Sequence, residues 1–400
     1  MGAGGALAAG MLAWPGELLH AAPRLRVTGM ELLPVRASAR TVWLNVRLRT
    51  DAGLTGLGEA SDAFGFNNTT REQAAQMEST LRGFFAFAEG QSPLEIGAYR
   101  ARGEPVAARG GLVAATAFSA IEQALWDLAG KALDVPTFTL FGGAIRTTLP
   151  CYANINRATN PRTPPGFAVS ARAAVAQGFT ALKAAPFDGF PPKGSPPAAI
   201  EAAVELGIAC MESMRAAVGS GVDLMVDCHS FFDVALAERV ARRLEPLKLR
   251  WYEEPVAPEQ TADTREIHRR ISQPMAGGEV LYGVGGFAPL VRDKTVNVIM
   301  PDVKHCGGLL ELVRIAATAE TEGVTVAPHN PSGPIGTAAS AQVCTVIRNF
   351  DLLEFQWGEA DWRGDLLTPP ERFENGTYRV TDRPGLGVEL NERVVAAHRL

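Results

Sequence analysis

The sequence predicts an α/β fold in which eight parallel βα units close a barrel behind a smaller α+β unit. Short apolar runs recur eight times between Cys151 and Phe355 with helical segments between them, the pattern of parallel strands joined by crossover helices. Most of these runs end on an ionisable residue, which is where a barrel of this kind carries its chemistry. Before Pro150 the pattern differs: apolar and polar residues alternate first and take helical spacing afterwards, so that region forms a unit of its own.

Residues 1–22 stand apart. Gly2 to Trp14 is small and apolar and Ala21-Ala22-Pro23 follows, as at the end of an export signal, but the basic start of such a signal is missing. The segment reads as a flexible tail or a signal remnant, and the location as cytoplasmic or, in the second case, exported. From Arg24 to Asp51 apolar and polar residues alternate (Val27, Met30, Leu33, Val35, then Val42 to Leu48). After the Asp51-Ala52-Gly53 turn, Leu54 to Glu59 completes an antiparallel meander. A polar loop from Ser61 to Thr70 precedes helical spacing over 71–89 and 112–133, clearest at Phe118, Ile121, Leu125 and Leu128. The barrel runs are Cys151–Ile155, Ala181–Ala185, Asp223–Cys228, Leu249–Tyr252, Pro274–Gly278, Val296–Met300, Val324–Ala327 and Leu352–Phe355. A turn-rich tail, with Tyr378-Arg-Val-Thr381 and Pro384-Gly-Leu-Gly-Val388, is expected to return to the first unit.

Composition excludes several function classes. The chain has 400 residues, 38 Lys plus Arg against 43 Asp plus Glu, and a net charge of −5, so no excess of positive charge is available for a phosphate backbone. Nucleic acid is not an expected partner. No apolar run reaches the ~18 residues that span a bilayer, so no membrane is expected either. The five cysteines are scattered, without a CxxC pair, and read as buried thiols. The glycine-rich stretches Gly2 to Gly5 and Gly283 to Gly286 do not fit a dinucleotide-binding loop between a strand and a helix.

The residues that close the runs are Lys183, Asp227 with His229, Glu253, Glu279, Asp302, His329 and Glu354. From Asp227 onward the gaps are 26, 26, 23, 27 and 25 residues, each about one βα unit, so these groups converge on a single mouth. Three carboxylates from adjacent strands, Asp227, Glu253 and Glu279, offer hard oxygen ligands suited to Mg2+ with positions left for substrate oxygens. Like charges brought together there would otherwise repel. A carboxylate substrate on that ion would have its α-proton acidified, because the cation stabilises the charge that develops as the proton leaves. His329 is the candidate base, with Asp302 accepting its second ring N–H and fixing the tautomer. Glu354, if neutral, would donate a hydrogen bond to the developing enediolate. Lys183 would offer positive charge to the substrate carboxylate, and His229 would protonate a leaving hydroxyl.

At these residues the sequence resembles the enolase superfamily and, within it, the mandelate racemase group. The matching motifs are Val226-Asp227-Cys-His229, Trp251-Tyr-Glu253-Glu-Pro255, Ala276-Gly-Gly-Glu279, Pro301-Asp302 followed by Gly307-Gly308, and Ala327-Pro-His329-Asn-Pro331. Ser119 to Gly130 and Arg383 to Val388 extend the likeness over nearly the whole chain. The resemblance implies a modified TIM barrel, (β/α)7β, with an α+β N-terminal capping domain completed by the C-terminal segment. On that basis 23–147 is the capping domain, 148–358 the barrel and 359–400 the returning segment. It also implies Mg2+, a proton abstracted α to a carboxylate, and a homo-oligomer such as a dimer or octamer.

Departures from the family pattern narrow the chemistry. Two-base members carry Lys-x-Lys at the second barrel strand, whereas this chain has Lys183-Ala184-Ala185-Pro186. Cycloisomerase-like members place a lysine at the sixth strand, where Asp302 stands here. His229 after the first ligand, together with His329 and Asp302, resembles acid-sugar dehydratases of the galactonate type, which implies a lyase converting a sugar acid to a 2-keto-3-deoxy acid. Two alternatives remain at this point: a one-base racemase, epimerase or other isomerase, and a metal-binding member without activity. Lys304 and His305 are expected to begin a loop. Trp251, Phe231 and Phe232 are expected in the core or pocket wall, and the loop Ser61 to Asn68, with Asp62, Phe64 and Phe66, over the mouth.

Overall fold

The computed structural model describes residues 25–65 and 69–400; the expected tail or signal remnant at 1–22 and Phe66 to Asn68 of the mouth loop lie outside them. Strands β1 (Val27–Arg36), β2 (Val42–Thr50) and β3 (Thr55–Glu59) form an antiparallel sheet in chain order. Gly53 takes the left-handed φ of 81° that the Asp51-Ala-Gly turn needs. Helix α1 (Arg71–Phe85) starts at Thr70, whose side chain accepts from Gln73 N–H while Gln73 returns a bond to the Thr70 amide, a reciprocal cap.

Helix α2 (Ile96–Ala107) was not expected from the pattern. Its buried positions, Ile96, Tyr99, Arg100, Gly103 and Ala107, do recur at helical spacing, but an arginine and a glycine among them erase the apolar periodicity. Helix α3 (Gly111–Ala132) crosses the sheet on two glycines. A β-carbon at Gly58 would lie 2.1 Å from Ala120 O, and one at Gly56 2.2 Å from Ala124 O.

The barrel strands are β4 (Thr148–Asn154), β5 (Ala181–Ala184), β6 (Asp223–Asp227), β7 (Trp251–Glu253), β8 (Met275–Gly277), β9 (Val298–Ile299), β10 (Thr325–Val326) and β11 (Leu353–Gln356). Between them run α4 (Pro164–Ala176), α5 (Pro197–Val218), α6 (Val234–Leu244), α7 (Thr261–His268), α8 (Gly283–Arg292), α9 (Gly308–Thr321) and α10 (Pro334–Cys344). Neighbours from β4 to β10 pair in parallel and β11 pairs in parallel with β4. A bridge from Val326 to Phe350 closes the ring. Seven helices alternate with eight strands, so the barrel is the (β/α)7β form and not the full eightfold repeat that the apolar runs alone suggest.

Strand periodicity sorts the inner face into two layers. Tyr152, Ala181, Met225, Trp251 and Leu352 join a buried, largely apolar plug inside the barrel. Two residues further along the same strands stand Asn154, Lys183, Asp227, Glu253 and Glu354, all buried.

The last segment forms β12 (Leu367–Thr368), β13 (Phe373–Glu374), β14 (Thr377–Arg379), β15 (Glu389–Leu390) and α11 (Glu392–Ala397). It grips both units: β14 pairs antiparallel with β4, while Leu386 N–H donates to Asp127 of α3 at 2.7 Å and Val35 bridges Arg399. Two carboxylates of the first unit dock on barrel helices. Glu59 accepts from Gly333 and Gly336 N–H, both at 2.7 Å, at the start of α10. Glu122 accepts from Leu309 N–H at 2.7 Å and Leu310 N–H at 3.2 Å at the start of α9. Each carboxyl sits at the positive end of a helix dipole and satisfies its free amides, although burial raises both acids above the ordinary value. No helix among the described residues is long and apolar enough to cross a membrane.

Gly58→Ala is expected to overpack the α3–β3 contact and lower the midpoint of thermal unfolding by circular dichroism, a cost of about 1–3 kcal/mol. Gly83→Ala in α1, where an added carbon meets nothing, is expected to leave it in place or raise it slightly.

Candidate active site

The inner-face register delivers the strand-end residues to one mouth. One oxygen from each of Asp227, Glu253 and Glu279 lies within 4.8 Å of the others, and all three residues are buried. Lys183 enters this group from β5. Its ammonium is 2.6 Å from Glu253 Oε1, 3.1 Å from Glu354 Oε1 and 3.5 Å from Asp227 Oδ2. Trp251, on the same face as Glu253, donates Nε1–H to Glu253 Oε2 at 2.8 Å.

Burial and the neighbouring acids push the carboxyls of Glu253 and Glu279 well above the usual range. Burial also works against an ionised Asp227, but His229 and Lys183 outweigh it and hold that carboxyl below the ordinary value. No hydrogen-bond donor among the described residues satisfies the buried Oε2 of Glu279. An unsatisfied oxygen beside two more buried carboxylates fits a divalent cation with hard oxygen ligands, and Asp227, Glu253 and Glu279 are the residues that would hold it.

Two imidazoles flank the carboxylates. His329 Nε2 lies 3.2 Å from Glu279 Oε2, outside hydrogen-bond alignment, and its Nδ1 lies 2.8 Å from Asp302 Oδ2. Across the mouth, His229 Nε2 lies 3.2 Å from Asp227 Oδ2 and its Nδ1 2.6 Å from Asp188 Oδ1. Asp188 is itself held by Asn156 at 2.8 Å and Arg162 at 3.2 Å. Burial opposes a charged His229, yet Asp227 and Asp188 together raise its pKa well above the ordinary imidazole value. His229, Ser230 and Glu254 all adopt left-handed backbone, with φ of 44°, 59° and 36°. Such strain concentrates at functional sites. Glu254 braces the next strand end by accepting from Gly278 N–H at 2.7 Å.

Two sequence expectations need correction. Glu354 was expected to be a neutral donor. Its Oε1 accepts from Asn154 at 2.7 Å and its Oε2 from Asn330 N–H at 2.7 Å. Burial alone would raise this carboxyl, but Lys183, His329 and those bonds hold it below the usual range, and both of its oxygens act as acceptors. Lys183 was expected to face a substrate carboxylate; its ammonium is committed to three of the protein's own. Lys304 and His305 lie, as expected, in the turn between β9 and α9. Both are buried, Lys304 against Asp302 and His305 with Nδ1 2.8 Å from Thr116 Oγ1.

Asp188 escaped the sequence reading because it stands five residues past Lys183, beyond the strand end, and its partner is 41 residues away. Phe231 is exposed and Phe232 buried; with Phe190, Lys193 and Ser195 they line a cavity of about 730 Å3 beside His229. The described part of the loop expected over the mouth holds Asp62, which pairs with Arg157 at 3.1 Å.

Residues 25–142 match the mandelate racemase / muconate lactonizing enzyme N-terminal domain, and residues 166–394 the enolase C-terminal domain-like family. The chain belongs to the mandelate racemase group of the enolase superfamily. Among its relatives, a D-xylonate dehydratase of Haloferax volcanii is 32% identical over 89% of this chain and 85% of its own length. A D-galactonate dehydratase of Verminephrobacter eiseniae is 32% identical over 88% and 90%. The crystal structure of a mandelate racemase/muconate lactonizing enzyme from Jannaschia superposes with a TM-score of 0.83 at 30% identity, covering 94% of this chain and 98% of that one. This superfamily membership agrees with the (β/α)7β barrel and its capping domain.

Mg2+ is expected to raise the thermal midpoint of the wild type by mass action. Glu253→Gln is expected to weaken Mg2+ binding by about 100-fold or more in calorimetric titration, since even residues behind metal ligands cost about 10–100-fold.

Proposed function

We propose that the chain is a Mg2+-dependent dehydratase that converts a sugar acid to its 2-keto-3-deoxy product. The observation that carries this reading is the pair of His/Asp units facing each other across the three carboxylates. Relatives named for D-xylonate and D-galactonate dehydration support it.

His329 takes the α-proton at Nε2, while Asp302 receives the Nδ1–H and keeps the imidazole in that tautomer and orientation. His229 gives the proton on its Nε2 to the departing β-hydroxyl, and Asp188 holds its Nδ1. The C–H and C–O bonds break, water leaves, and the enol left behind tautomerises to the 2-keto acid. Held by Asp227, Glu253 and Glu279, Mg2+ would supply positive charge against the negative charge that develops on the substrate carboxylate. Lys183 and Glu354 keep the charge at the mouth in balance beneath the substrate.

A one-base isomerase would need His329 but not a second acid. The His229–Asp188 pair therefore favours loss of water over return of the proton to carbon.

With Mg2+, a panel of mono- and diacid sugars that includes D-galactonate and D-xylonate is expected to give 2-keto-3-deoxy product, read as its semicarbazone. His329→Asn is expected to lower turnover by at least about 10²–10⁴-fold with Mg2+ still bound. Exchange of the α-proton in D2O without any keto product would move the reading to an isomerase.

A further inference from the structure

Lys304 is fully buried, and the mechanism above gives it no task. A buried ammonium persists only where carboxylates surround it, and its partners here join the two domains. Its backbone N–H donates to Asp302 Oδ1 at 2.7 Å and its Nζ to Asp302 Oδ2 at 2.8 Å. That second oxygen is the one facing His329 Nδ1. Nζ also donates to Ser332 Oγ.

On its far side, Asp62 of the mouth loop brings Oδ2 to 3.8 Å from Nζ, and that oxygen has no hydrogen-bond donor among the described residues. Asp62 is anchored through Oδ1 to Arg157, which also pairs with Glu359 at 2.9 Å. A buried chain therefore runs from Glu359 and Arg157 through Asp62, Lys304 and Asp302 to His329.

We propose that Lys304 is a positioning residue for His329, and that through Asp62 it makes the capping domain part of the base. By holding both oxygens of Asp302, Lys304 stops that carboxylate from rotating, so Oδ2 stays aimed at the imidazole. Asp302 thereby becomes a fixed anchor, and the ring keeps the tilt that presents Nε2 to the carboxylate group. Asp62 keeps the ammonium between the two domains, so a mouth loop out of place would release the base from its anchor. The inference rests on His329 and Asp302 serving as the base pair, as proposed above.

The test uses full-length protein with Mg2+ and 15N-labelled histidine. The chain has six histidines, so the His329 ring signal can be assigned by its loss in His329→Asn. Lys304→Met is expected to shift that signal and to lower kcat by about 100-fold, the cost of misplacing a reacting group by roughly 1 Å. The rate is read on whichever sugar acid the panel identifies, with KM and Mg2+ affinity unchanged. Asp62→Asn, nearly the same size, is expected to move the same signal by less, and carries the test if the lysine variant does not fold. An unmoved His329 signal in both variants would overturn the proposal, as would losses in kcat, KM and Mg2+ affinity together. The ring signal needs no substrate, so the hold on His329 is read even if no sugar acid is turned over.

Discussion

Four buried carboxylates, Asp227, Glu253, Glu279 and Glu354, crowd one end of the barrel, and much of the site is arranged around their mutual repulsion. Lys183 sits against three of them and the two imidazoles against Asp227 and Glu279. Yet Glu253 and Glu279 remain pushed toward their neutral forms by burial and neighbouring acids. A divalent cation would complete the balance, and a site so dependent on it would couple metal binding to stability. Burial would raise the Glu354 carboxyl, but Lys183, which also lies against Asp227 and Glu253, helps to hold it below the usual range.

Beneath this charged layer lies the reason that it can be built. Strand alternation places Tyr152, Met225, Trp251 and Leu352 one layer down, and this packed, largely apolar layer lies below the carboxylates. In so buried a setting each interaction with the acids is stronger than it would be in water. Trp251 takes part in both layers, filling the plug with its ring and donating its N–H to Glu253.

The capping domain joins the barrel by the same principle of placing acids where positive ends already exist. Glu59 and Glu122 meet the amino ends of α10 and α9, and Asp127 ties α3 to Leu57 and Leu386. These carboxylates lie in buried surroundings that would be costly without such partners. The interface is thus specified by hydrogen-bond geometry as well as by apolar contact, which suits a domain expected to set the walls of a substrate pocket.

Much of this was legible in the sequence. Apolar runs spaced by one βα unit define parallel strands, and the chemistry of a barrel lies at strand ends, so Asp227, Glu253, Glu279, Asp302, His329 and Glu354 could be aligned by counting. Periodicity also marked α1, α3 and the meander, but not α2, whose buried face carries Arg100 and Gly103. What only the tertiary structure decided is partnership and charge state. Asp188 and His229, Asp62 and Lys304, and Glu354 and Lys183 come from different strands and loops, and whether a buried acid is neutral or ionised depends on which groups face it across the mouth. Periodicity is a property of consecutive residues, whereas a pKa belongs to neighbours in space. The sequence by itself therefore determined which strand-end residues reach the mouth, and the fold determined what each one meets there, including Asp188 from beyond a strand end.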